Sequence, residues 1–176
     1  MKSRERLSRL FNGQEIDRIP ITAAIEQYCD TFDRRGFNGG FCYNTNPEIS
    51  YDYQTIVHYH GQLFQILDGM KDIGMDGLHT IEAPPIGDCT ISQARNVLGK
   101  DTILIGNIQY DDLARLSVDE IDQLVRLAIE EGRSGKFILS PSAGPYETTL
   151  TEKQVENYLA FIHAGVKYGQ LSQRNK

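Results

Sequence analysis

Between Tyr51 and Tyr168 the chain alternates four times between a short apolar run and a longer segment with helical spacing. Residues 55–60 read as a strand. They lead through Gly61 into a helix with Leu63, Phe64, Ile66, Leu67, Met70 and Ile73 apolar, closed by Gly74. Residues 77–81 form the next strand, and residues 91–98 a short helix stopped by Gly99. Residues 102–105 are a third strand. The spacing of Ser117 and Glu120 then predicts a capping box, opening a helix with Val118, Ile121, Leu124, Val125, Ala128 and Ile129 on one stripe. Residues 137–139 are a fourth strand, and Thr151 and Gln154 cap a last helix carrying Val155, Tyr158, Leu159, Ile162 and Val166. Strands apolar on both faces and joined by crossover helices belong to parallel sheets, and a βαβ unit takes about 30 residues. The expected class is therefore α/β, either an open doubly wound sheet or part of a (β/α)8 barrel. No G-x-G-x-x-G follows any strand, so a dinucleotide fold has no support.

Outside this block the pattern is weaker. A helix over residues 3–12 places Leu7, Leu10 and Phe11 on one face ahead of Gly13, and residues 17–23 read as a strand whose Pro20 suits a start or an edge. Residues 26–50 carry the turn-formers Arg34-Arg35-Gly36, Asn38-Gly39-Gly40 and Asn44-Thr45-Asn46-Pro47 with no periodicity, and read as an irregular junction loop. At 176 residues the expectation is one domain over residues 1–176, with the βα units in 51–170. The net charge of −6 argues against binding nucleic acid through its phosphates. No apolar run reaches the roughly 18–20 residues that cross a bilayer. The charged start, Met1-Lys2-Ser3-Arg4-Glu5-Arg6, has no signal-peptide core. Cys29, Cys42 and Cys89 share no C-x-x-C spacing and read as inert thiols, so a reduced, cytoplasmic protein is expected.

In either architecture ligands bind at the carboxyl ends of the strands, and polar groups gather there. The first strand ends in His58-Tyr59-His60-Gly61, and the second is followed by Glu82 and Asp88. The third ends in Gly106-Asn107 and the fourth in Ser140-Pro141-Ser142, with Tyr146 and Glu147 beyond. Two histidines two apart on a strand present both rings to one face. His58 and His60 with Glu82 then make a His₂Glu set for Zn²⁺, or else three polar substrate contacts. Asp88 reads as a carboxylate behind an imidazole, as an acid, or as the cap of the helix after it. Asn107, Ser140, Ser142 and Tyr146 are candidate substrate contacts, though Gly-Asn is also simply a turn. Neither serine has an evident His–Asp relay, which argues against serine nucleophilic catalysis. His79, in mid-strand, reads as packing, and His163 as a favourable charge near a helix C-terminus.

Arg4-Glu5-Arg6-Leu7 with Gly13-Gln14-Glu15-Ile16-Asp17-Arg18-Ile19-Pro20 resembles the start of uroporphyrinogen decarboxylase family proteins. The stretch from His58 to Tyr168 is similar to the same family, with Gly106-Asn107-Ile108, the helix capped at Ser117, and Phe137-Ile138-Leu139-Ser140-Pro141-Ser142. The resemblance implies a (β/α)8 barrel. It also implies either cofactor-free porphyrinogen decarboxylation or zinc-dependent methyl transfer with a corrinoid protein as methyl donor.

The chain departs from both branches. Where the methyltransferase branch resembles His-x-Cys-Gly with a later Cys, this chain has His58-Tyr59-His60-Gly61 and Ser142-Ala143-Gly144. Where the decarboxylase branch resembles Gly-His-Gly, it has Ala143, and the arginine-rich loop that grips porphyrin carboxylates is missing after Pro20. A complete barrel takes about 250 residues. The chain instead resembles the family's beginning joined to its second half, so a homodimer or a complementing half-barrel chain is expected to cover the open edges. The expectations are metal-assisted methyl transfer on a small molecule, cofactor-free decarboxylation, or a non-catalytic binding member.

Overall fold

In the computed structural model, the described residues are 1–21, 40–43, 54–145, 147 and 149–171. Helix α1 (Ser3–Phe11) ends ahead of Gly13, whose φ of 65° suits the turn that closes it. Strand β1 (Gly40–Tyr43) precedes β2 (Gln54–His58), and a 3₁₀ turn (Phe64–Ile66) runs into α2 (Leu67–Asp72). There follow β3 (Gly77–His79), α3 (Ile91–Leu98), β4 (Ile103–Ile108), α4 (Tyr110–Arg115), α5 (Val118–Gly132), β5 (Phe137–Pro141) and α6 (Glu152–Tyr168).

The strands form one sheet in the order β1-β2-β3-β4-β5. From β2 to β5 every pairing is parallel, with His58 beside His79 and Asn107 beside Ser140. The helices begin where their caps dictate: Thr90 with Gln93, Ser117 with Glu120, and Thr151 with Gln154 each close a reciprocal capping box.

Side-chain alternation along the strands separates two cores and decides between the two architectures. Leu78, Leu104, Phe137 and Leu139 pack with Leu67 and Met70 of α2, Ile91 and Leu98 of α3, Ile121 and Val125 of α5, and Phe161 of α6. Ile56, Ile103, Ile105 and Ile138 face the other way and are covered by Leu7, Leu10 and Phe11 of α1. All the crossover helices thus share one face, as on the outside of a barrel. A doubly wound sheet would divide them between both faces. The chain is an arc of a (β/α)8 barrel with α1 laid across its inner face.

Three elements differ from the sequence reading. The expected junction loop contains β1, which pairs antiparallel with β2 along Gly40↔Val57 to Tyr43↔Gln54. The strand expected over residues 17–23 is reduced, in the described residues, to single bridges of Arg18 with Gln170 and Ile21 with Leu139. Helix α4 is an addition, a six-residue turn whose Leu113 is buried. Buried Arg95 ties the amino-terminal ends of the strands together. Its guanidinium donates to the carbonyls of Gly99 at 2.8 Å, Thr102 at 2.6 Å and Lys136 at 2.6 Å.

Candidate functional site

The carboxyl ends of β2 and β3 hold a chain of three imidazoles and one carboxylate. His58 is the last residue of β2 and His79 the last of β3, and the register sets them side by side. Their Nδ1 atoms lie 2.7 Å apart, with ring centroids 4.8 Å apart. On the other side of the His58 ring, Nε2 lies 3.0 Å from His60 Nε2, the two rings meeting edge to face at 82°. The far nitrogen of His60, Nδ1, stands 3.1 Å from Oε1 of Glu82. The second oxygen of Glu82 accepts from the Gly61 N–H at 2.6 Å. His60 is exposed, whereas the Glu82 side chain behind it is 6% exposed.

Burial fixes the inner end of this chain. His79 is 2% exposed, and its Nε2 lies 3.4 Å from the carbonyl oxygen of Pro141 on β5. Desolvation, assisted by the neighbouring His58, pushes its pKa down to about 3, so the ring is neutral at physiological pH.

Glu82 itself is set by a tight loop. Its carbonyl accepts from the Cys89 N–H at 3.2 Å, and Gly87 packs directly against it. The next carboxylate, Asp88, does something the sequence did not suggest. Its Oδ1 accepts from the N–H groups of Leu63 at 2.7 Å and Phe64 at 2.9 Å, pinning the loop after β2. The helix after it is capped by Thr90 instead. Asp88 therefore does not cap α3: Cys89 and Thr90 separate it from Ile91, and its Oδ1 is engaged by the β2 loop rather than by an imidazole.

The ends of β4 and β5 contribute a second polar group. Ser142 donates to Oε1 of Gln109 at 3.0 Å and accepts from the Tyr110 N–H at 3.3 Å, and Ser140 donates to the Pro141 carbonyl at 2.9 Å. Both serines are buried and engaged internally, and Asn107 is half-buried beside Ser140. Nε2 of buried Gln109 has no hydrogen-bond partner among the described residues. Tyr146 lies outside the described residues, and Glu147 accepts from the Tyr110 hydroxyl.

His58, His60 and Glu82 are thus brought together, but in series rather than around one point. Glu82 occupies the nitrogen of His60 that faces away from His58. Among the described residues, no three His, Cys, Asp or Glu side chains are grouped to hold a metal ion. The sequence reading missed His79 because it ran β3 on to Ile81, which placed the histidine in mid-strand. Ending both strands at their histidines makes them neighbours. No helix among the described residues is long and apolar enough to cross a membrane.

Residues 44–168 match the family model described as uroporphyrinogen decarboxylase (URO-D). Among solved structures, the chain is similar to a methyltransferase from Methanosarcina mazei, at a TM-score of 0.50 and 25% sequence identity over 68% of this chain and 32% of that one. The chain therefore spans about a third of the length of that structure. No curated protein matches.

Proposed function

The chain belongs to the uroporphyrinogen decarboxylase family, and from that premise we propose that it is a methyltransferase-like member acting on a small one-carbon substrate at the ends of β2 and β3. The observation that carries this reading is the 3.0 Å approach of the Nε2 atoms of His58 and His60. Two imidazole nitrogens that close, each with its other nitrogen held from behind, fit as the nitrogen pair of a zinc site. The methyltransferase among its structural neighbours supports the same reading.

His58 and His60 would hold the ion, with Glu82 accepting from His60 Nδ1 as the carboxylate behind a ligand rather than as a third ligand. The rest of its coordination would come from substrate and water. A zinc ion there supplies Lewis acidity, which lowers the pKa of a bound thiol or water. The protein's own part is orientation. Gly61 and His60 clamp the two oxygens of Glu82, and the buried His79 backs His58. A corrinoid protein as methyl donor belongs to this proposal.

A second reading, cofactor-free carboxy-lyase chemistry, is favoured by the His60–Glu82 contact. That pair can carry one proton to a carbanion left by loss of CO₂. Pairing with a second copy or a complementing half-barrel is supported by Val155, Leu159, Ile162 and Val166. These form an apolar stripe along α6 that is 36–50% exposed.

Elemental mass spectrometry on freshly purified protein, beside a His58→Ala/His60→Ala variant, tests the leading reading. About one zinc per chain, lost in the variant, is the expected result. No metal in either sample overturns it and leaves the lyase or a binding role. Light-scattering mass on the same sample tests the pairing, with a monomer overturning it.

A further inference from the structure

We propose that His79 is a positioning residue that fixes His58 as its Nδ1–H tautomer and so directs a lone pair on His58 Nε2 toward His60. The inference deepens the proposed site and rests on that reading for its purpose, but its geometry stands in the protein without metal.

The argument starts at Pro141. A backbone carbonyl only accepts, so the nitrogen of His79 that faces it, Nε2 at 3.4 Å, is the one that carries the ring proton. The ring is buried on every side, and a neutral imidazole has a single proton to place. His79 Nδ1 is then an acceptor. His58 Nδ1 lies 2.7 Å from it across the β2–β3 ladder and must donate. With its proton committed there, His58 keeps a lone pair on Nε2, on the side of His60, whose Nε2 is 3.0 Å away. A hydrogen bond on one ring nitrogen sets the chemistry of the other. Here the setting group is another histidine, held by the strand that ends at Pro141.

The ladder makes this device rigid. His58 and His79 are paired residues on adjacent parallel strands, so neither ring can slide along the sheet without breaking register. Exposed His60 has no such restraint from the sheet and is held through Glu82.

Long-range ¹H–¹⁵N correlation spectra of the metal-free protein read the tautomer directly, with zinc titration on the same samples. Wild-type His58 is expected as Nδ1–H. His79→Asn places a carbonyl oxygen near the position of the ring's Nδ1, and is expected to keep that tautomer and a zinc affinity within a few-fold of wild type. His79→Leu removes the acceptor. It is expected to move His58 toward Nε2–H and to weaken zinc roughly 10- to 100-fold, the usual cost of losing a residue behind a metal ligand. An Nε2–H tautomer in the wild type, or an unchanged tautomer in His79→Leu, overturns the inference. If His79→Leu does not fold, the wild-type and His79→Asn spectra decide. A wild-type protein with the Nδ1–H tautomer that binds no zinc overturns the zinc reading and upholds the role of His79.

Discussion

Gly87 is packed so closely on Glu82 that a Cβ added to it would stand 2.0 Å from the Glu82 carbonyl oxygen. The obstacle is backbone, so it cannot rotate away as a side chain would. Gly87→Ala must displace the loop that carries Glu82, and overpacking of this kind costs about 3 kcal/mol. The expected result is a fall in Tm of roughly 6–12 °C. Crystallography of the variant would show the Glu82 carboxylate withdrawn from His60 and Gly61. An unchanged Tm with Glu82 in place would contradict this account.

Asp88 holds two backbone donors of the loop after β2. Asp88→Ala leaves the N–H groups of Leu63 and Phe64 without their acceptor, at a cost of about 1–2 kcal/mol by comparison with lost helix caps. Because Thr90 caps α3, helical circular dichroism below the transition is expected to stay as in the wild type. Loss of α3 in that variant would restore the capping role that the sequence suggested.

Arg95 is a buried cation whose guanidinium donates to three backbone carbonyls, and burial pushes its pKa down to about 10. Arg95→Met removes a donor from three carbonyls, of which that of Lys136 keeps the Leu104 N–H. The expected destabilisation is about 3 kcal/mol or more, measured by urea denaturation. Arg95→Lys recovers only part, since an ammonium does not reproduce the planar fork. Equal midpoints for wild type and Arg95→Met would refute this.

The Arg6–Asp17 pair gives the pH dependence a sign. Arg6 grips both oxygens of Asp17, at 2.5 and 2.8 Å, and its guanidinium holds the carboxyl well below the usual carboxylate range. A carboxyl with a depressed folded pKa contributes stability that is fully present above the unfolded value near 4 and is lost as pH falls below it. The Asp17 side chain is 41% exposed, so screening leaves the pair worth no more than about 1 kcal/mol. Acid unfolding of Asp17→Asn is expected to lose this part of the slope below pH 4 and to converge with the wild type at the acid end. Curves that stay parallel to pH 2 would show that the pair does not stabilise the fold.

The alternation of β2 to β5 with their crossover helices was legible because it is a local property: apolar runs, capping boxes and closing glycines each lie within a few residues. Thr151–Gln154 and Ser117–Glu120 announced α6 and α5 without any knowledge of the sheet. What escaped depends on distance in sequence. β1 exists through its pairing with β2, and nothing in Gly40-Phe41-Cys42-Tyr43 has a period of its own to announce it. For the site, His58, His60 and Glu82 could be grouped from strand ends alone. The sequence could not say that Glu82 takes the far nitrogen of His60, nor that Asp88 turns toward Leu63, because both follow from loop paths. His79 became visible only through register.

The bridge between Arg18 and Gln170 is flanked by two hydrogen bonds, from Ile19 N to Gly169 O and from Leu171 N to Asp17 O. Pro20 likewise accepts from the Leu139 N–H, as a first strand would beside a last one. These contacts join segments about 120 to 150 residues apart. The stretch after α1 can join the sheet only once β5 has been made, and it completes the bridge to Gln170 only after α6. Closure of this seam is therefore a late step of folding, in which one of the largest loops among these elements is shut.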